Sequence, residues 1–171
     1  MSYAPFNKEG IQTDLKAEQQ TLFLELMNEQ NGVLHIHDEE LGTPTESIFK
    51  KFPKITFILA HCGYKTPEKL RELFTKHKNL YAEMSLVSNR HFGPFRSEPL
   101  VTISPSAAWL SLMKEFSSRL LVGSDIGATW DRMSYLGEII SDYRKILGKL
   151  PVNDAEKIAY KNFKLLFDQK N

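Results

Sequence analysis

Four stretches of the chain end an apolar run with a group able to bind a metal ion or move a proton. VLHIHDEE places His35 and His37 after Val33-Leu34, ITFILAHCG ends in His61, LYAEMS carries Glu83 and Ser85, and LLVGSD ends in Asp125. Neutral imidazoles with a carboxylate suit zinc or a similar divalent ion and leave coordination open for water. An ion that pulls the pKa of that water toward neutrality makes it a nucleophile, and a nearby carboxylate can take its proton. Each residue also has a plainer reading. His61, before Cys62 and Gly63, can be a hydrogen-bonded histidine at a strand end, and Asp125 can be a helix N-cap. His35 competes with His37 for the ligand place and reads better as an interior histidine one layer lower. Four such strand ends in succession carry more weight than any one of them.

The elements that must position these groups follow from periodicity. Apolar residues at helical spacing run from Asp14 to about Asn31 (Leu15, Leu22, Phe23, Leu26, Met27), with Asn31-Gly32 as the stop. Strands are predicted over Val33–His37, Ile55–Ala60, Leu80–Ser85 and Leu120–Gly123. Helices are predicted over 45–52, from Thr66-Pro67 through Lys76, from Ser104-Pro105 through Phe116, over 132–147 and over 154–167, the last capped by Asn153 or Asp154. Residues 87–104 hold no periodicity and read as a long loop. Runs such as ITFILA suit strands covered on both faces, and strand–helix alternation with short links implies a parallel α/β sheet joined by right-handed crossovers. Ligands then sit at the carboxyl ends of the strands. Residues two apart share a face, so His37 goes with His35 and Val33, His61 with Leu59 and Phe57, and Asp125 with Gly123 and Leu121. If those faces point to one interior, His37, His61 and Asp125 meet at one mouth.

Composition narrows the partners. The chain has 171 residues, 42% apolar and 25% charged, which fits one soluble globular domain over 1–171. Lys and Arg number 22 against 21 acids, so no net field draws it to nucleic acid or an anionic membrane, and a small molecule or a protein is the expected partner. Cys62 is the single cysteine, which fits a reducing cytoplasm. The start MSYAPFNKEG has no secretory pattern, and no apolar run approaches the roughly 20 residues of a membrane span.

In order and spacing, VLHIHDE, ITFILAHCG, NLYAEMS, WLSLMKEFSSRLLVGSD and KIAYKNFKLLF resemble the C-terminal half of the amidohydrolase-related metal-dependent hydrolases, which are (β/α)8 barrels. The resemblance covers about Gly32 to Phe167 and implies a TIM-barrel-like half barrel, strands five to eight. By resemblance His37 and His61 are metal ligands, and Asp125 is both ligand and general base. Asn162–Phe167 matches the family's structural closing segment. The family's first-strand His-x-His is absent; His35-x-His37 could be placed as that pair, but one crossover of about 24 residues separates His37 from the His61 strand, which favours the fifth-strand reading.

Half a barrel leaves apolar edges and an open core, so the chain is expected either to be one part of a longer protein or to pair with itself or another subunit, a homodimer of two halves being one way to close the sheet. The resemblance implies a divalent-metal hydrolase, zinc first with manganese, iron or nickel open, acting on a C–N, C–O or related bond of a small molecule. Arg90 and His91 in the long loop, and Trp130, are candidate substrate-binding residues, each with a surface or packing role as the alternative. Glu83 and Ser85 read as supporting or packing groups. Asp38, Glu39 and Glu40 read as a solvated loop, with Glu39 a candidate to orient His37. Cys62 reads as a buried apolar residue, and His77 as an exposed helix end. The rival reading is a degenerate barrel piece that binds or assembles without turnover, and a decarboxylase or lyase on the same scaffold also stays open.

Overall fold

The computed structural model describes residues 2–3, 18–37, 43–85, 101–126 and 130–168. Among these residues five parallel strands lie side by side in chain order: β1 (Ser2–Tyr3), β2 (Val33–Ile36), β3 (Thr56–Leu59), β4 (Leu80–Glu83) and β5 (Leu120–Leu121). Helices α1 (Glu18–Glu29), α2 (Thr43–Lys51), α3 (Pro67–Lys76) and α4 (Ala107–Glu115) fall in the crossovers, and α5 (Leu136–Leu147), α6 (Val152–Glu156) and α7 (Asn162–Phe167) follow β5. A π-helical turn, Lys157–Lys161, joins α6 to α7. This is the α/β partial barrel expected from the alternation, with one addition. The two-residue β1, too short to leave a pattern, pairs with β2 through Ser2↔His35 and Tyr3↔Ile36.

Register separates the two faces of the sheet. Leu34, Phe57 and Leu80 lie abreast, as do Ile36, Leu59, Ala82 and Leu120, and all of them belong to the core built with the helices. Leu24, Phe49, Leu70, Leu73, Phe74, Leu112, Ile139 and Ile146 supply the helical side of that core. Each fully buried Phe or Leu contributes roughly 1.5–3 kcal/mol of transfer free energy. The opposite face carries Val33, His35, Ile58, Tyr81, Glu83 and Leu121.

Polar side chains fix the links. Asn79 Nδ2 lies 3.0–3.2 Å from the carbonyls of Phe49, Phe52 and Ile55, its two protons shared among backbone acceptors at and just after the end of α2. Thr66 caps α3 by accepting from Lys69 N–H, with Pro67 as the first helical residue, as predicted. Asn31 takes a left-handed φ of 52° and ends α1 where Asn31-Gly32 marks the stop. Buried Asn162 donates to the carbonyls of Ser117 and Leu120, both at 2.8 Å, holding the last helix to the start of β5.

Several expectations are corrected. In α1, Leu24 enters the core while Leu22, Phe23 and Leu26 are exposed, because a helix at the β1 end of the sheet meets the core along one side only. His77 is buried, with Nε2 3.2 Å from Glu46 and its ring edge-on to Phe49. Helix α4 is capped by Ser106, which accepts from Trp109 N–H, two residues beyond the predicted start. Neither Asn153 nor Asp154 caps α6; Asp154 instead accepts from Ser117 and Lys157.

Candidate active site

His37 follows β2 on the face of His35 and Val33, away from the helices. Strict alternation would send His61 the other way, because Phe57 and Leu59 lie on the helix-covered face. The expected sharing of a face therefore fails for His61, and a change of backbone brings it to the site instead. Strand β3 stops at Leu59, and His61, Cys62, Gly63 and Tyr64 follow with φ of 53°, 52°, 57° and 52°, a left-handed turn. That turn sets the His61 ring against His37, with centroids 4.9 Å apart at an interplanar angle of 63°, and 5.2 Å from the Tyr64 ring. Asp125, exposed beyond β5, is also left-handed, with φ 50°. Non-glycine residues in this region are uncommon and collect at functional sites.

Behind His61 stands a chain of hydrogen bonds from β4. His61 Nδ1 lies 2.5 Å from Ser85 Oγ, and Ser85 Oγ donates to Glu83 Oε2 at 2.9 Å. The backbone N–H of Ser85 donates to Glu83 Oε1. His35 Nε2 lies 3.7 Å from Glu83 Oε2, too far to bond, and is a buried nitrogen with no hydrogen-bond partner. The Glu83 carboxylate fills the space where a side chain at position 123 would begin, so a Cβ on Gly123 would overlap it. The single hydroxyl proton of Tyr143, from α5, is shared between the carbonyls of Met84 and Gly123, at 2.5 and 2.8 Å, and so ties the ends of β4 and β5 together.

The electrostatics favour a neutral His61. Burial pushes its pKa below the ordinary 6.5; the negative charges of Glu83 and Asp125 oppose this, and His37 and His35 reinforce it. Burial, aided by Glu83, raises the Cys62 thiol well above its usual range, so Cys62 is the apolar core residue expected.

The structure thus brings His37 and His61 into contact, with Asp125 close enough for its charge to act on His61. Two imidazoles in contact are ligand types that suit a divalent ion, and the His35 nitrogen without a hydrogen-bond partner lies on the same face as His37. Among the described residues, no group of three His, Cys, Asp or Glu side chains is placed to hold a metal ion. Arg90 and His91 lie outside the described residues, as do the loop acids Asp38, Glu39 and Glu40 and the side chain of Trp130, whose backbone opens the turn Trp130–Tyr135. Tyr143 was missed by sequence reasoning; the available signal was a tyrosine in the apolar stripe of a helix, whose buried hydroxyl needs a partner.

The amidohydrolase family model matches residues 9–162. The chain belongs to the amidohydrolase family. Among solved structures, the chain is similar to an uncharacterised TIM-barrel protein from Bordetella bronchiseptica, with a TM-score of 0.68 and 14% identity over 92% of this chain and 53% of that one. It is also similar to a dihydroorotase from Campylobacter jejuni, with a TM-score of 0.63 and 18% identity over 96% of this chain and 55% of that one. A dihydroxybenzoic acid decarboxylase from a Polaromonas species, solved with manganese and the inhibitor 2-nitroresorcinol, gives a TM-score of 0.55 and 15% identity over 94% of this chain and 57% of that one. The chain therefore spans little more than half the length of these structures, and at such identities they establish the partial barrel. No curated protein sequence matches it. Among the described residues, no helix is long and apolar enough to cross a membrane.

Proposed function

We propose that this amidohydrolase chain carries the strand-end half of a metal-dependent hydrolase site acting on a C–N, C–O or related bond of a small molecule. The observation that carries the reading is the His37–His61 pair, since the left-handed turn departs from strand geometry and sets His61 against His37. His37 and His61 would hold a divalent ion, zinc first, with Asp125 as the third ligand. The chemistry such an ion supplies when bound is acidification of a water and polarisation of the substrate. Asp125, exposed beyond β5, would accept a proton from a water at the site. Burial holds the His61 pKa below its ordinary value, which favours the ring form whose lone pair a ligand needs. Arg90, His91 and Trp130 are proposed to bind substrate. The likeness to a manganese-containing decarboxylase supports C–C cleavage as a second reading on the same residues.

Sheet edges at β1 and β5 and the exposed Leu22 and Leu26 support a second copy as the partner that covers the sheet, in a cytoplasmic setting that suits the single cysteine Cys62. The test is titration of the purified chain with Zn2+ and with Mn2+, alongside sedimentation, for wild type, His37→Ala and His61→Ala. The expected result is a dimer whose metal affinity falls, in either variant, by more than the roughly 10–100-fold produced by losing an outer hydrogen-bond partner. Metal binding that both substitutions leave unchanged would overturn the site.

A further inference from the structure

We infer that Glu83, acting through Ser85, fixes His61 as its Nδ1–H tautomer and leaves the Nε2 lone pair for a ligand. The argument is a count of protons. The Ser85 hydroxyl has one proton to give and two neighbours, His61 Nδ1 at 2.5 Å and Glu83 Oε2 at 2.9 Å. The hydroxyl proton goes to Glu83 Oε2, the acceptor in that bond. The oxygen of Ser85 then accepts from His61, and Nδ1 must carry the hydrogen. Glu83 cannot turn away, because its other oxygen receives the Ser85 backbone N–H, and Gly123 leaves it a space that any other residue would fill. Ser85 is fully buried and Glu83 nearly so, which keeps water from substituting for either partner.

Glu83 and Ser85 are therefore positioning residues. Their direction of donation decides which nitrogen of His61 can bind. The isosteric change Glu83→Gln reverses that direction. The backbone N–H of Ser85 can only donate and so retains the one amide oxygen, which turns the amide NH2 toward Ser85 Oγ. The hydroxyl then accepts from the amide and donates its own proton to His61 Nδ1, which moves the imidazole hydrogen to Nε2 and closes the lone pair.

The inference rests on the proposed site for its consequence and not for its test. The tautomer is read on the metal-free full chain, by long-range 1H–15N correlation NMR of the imidazole nitrogens at a pH where His61 is neutral. Wild type is expected to show Nδ1 protonated, and Glu83→Gln Nε2 protonated. Ser85→Ala serves if Glu83→Gln fails to fold, and should lose the Nδ1–H preference. A wild type with Nε2 protonated, or variants that both keep the wild-type pattern, would overturn the relay. A purely structural role for Glu83 predicts lower stability with the tautomer unchanged, and that outcome counts against it as well. Titration with Mn2+ on the same samples separates the two ideas. Reversal of the tautomer upholds the relay whether or not the ion binds, and absence of binding in wild type overturns only the metal reading.

Discussion

Gly123→Ala tests the packing between β4 and β5 at its tightest point. The new methyl would occupy the space of the Glu83 carboxylate, so the carboxylate must swing out or the strands must separate. If it swings out, the buried Ser85 N–H loses its acceptor, a loss of roughly 1–3 kcal/mol for an unsatisfied buried group. If the strands separate, overpacking costs a similar 1–3 kcal/mol, roughly. Replacing glycine returns about 0.4–1 kcal/mol through the unfolded chain. The net loss is about 1–2 kcal/mol, and at roughly 2–4 °C per kcal/mol for a chain of this size the melting temperature should fall by several degrees. The assay is urea unfolding of wild type, Gly123→Ala, Glu83→Ala and the double variant. Once Glu83 is truncated the methyl has room, so Gly123→Ala should then be neutral or slightly stabilising, and the coupling between the sites should reach about 1–2 kcal/mol. Additivity of the two changes to within about 0.5 kcal/mol would refute the steric argument.

Tyr143→Phe removes the hydroxyl that bonds the carbonyls of Met84 and Gly123, and should cost about 1–3 kcal/mol, seen as a lower urea midpoint with unchanged slope. Asn162→Ala leaves the buried carbonyls of Ser117 and Leu120 without their donor; the expected loss is about 2–4 kcal/mol by the same measurement, with His61 tautomer signals unchanged because the site is not touched. At the opposite end of the sheet, the hydrogen bond from His77, helped by Lys76, holds the Glu46 carboxyl below its ordinary 4.5. Its folded pKa is depressed, so the stability it contributes is present above 4.5 and is lost as pH falls through the folded value. Glu46→Gln should therefore be less stable than wild type near neutrality, by under ~1 kcal/mol for so exposed a carboxylate, and the gap should close in acid; a gap that widens in acid would contradict the pairing.

Strand order and strand ends were legible because the apolar runs between Val33 and Leu121 are punctuated by helices with their own stops, such as Asn31-Gly32 and Thr66-Pro67. That placed His37, His61 and Asp125 at the correct ends of β2, β3 and β5. The direction in which His61 points was not legible. Alternation assumes that the strand continues, and AHCGY holds one glycine for four consecutive left-handed residues, so residue type gave no warning of the turn. β1 has two residues and its partner lies more than thirty residues away, which leaves no local period to detect. The side of α1 that meets the core was misjudged for a related reason. Its apolar residues surround more of the helix than one stripe, and only the tertiary position at the sheet's end selects Leu24. Glu83 and Ser85 were read as supporting groups, and their two-residue spacing at the end of β4 is what lets one carboxylate bond both the backbone and the hydroxyl of the other.

The left-handed turn at His61 is a cost that the rest of the fold must offset. Three of its four residues carry a Cβ, and each pays roughly 1–2 kcal/mol for the conformation. Cys62 offsets part of this from within: it is fully buried among the core residues, and its carbonyl accepts from Lys65 N–H at 3.2 Å to close the turn. His61 offsets more from above, through the bond to Ser85 and ring contacts with His37 and Tyr64. The conformation is thus held from two sides, by the core through Cys62 and by β4 through Ser85. A strained segment that relaxes when either hold is released positions its side chain only as accurately as both allow. The accuracy of His61 therefore depends on packing beneath the sheet as much as on the polar groups at its mouth, and a cavity opened around Cys62 should disturb the site before it unfolds the chain.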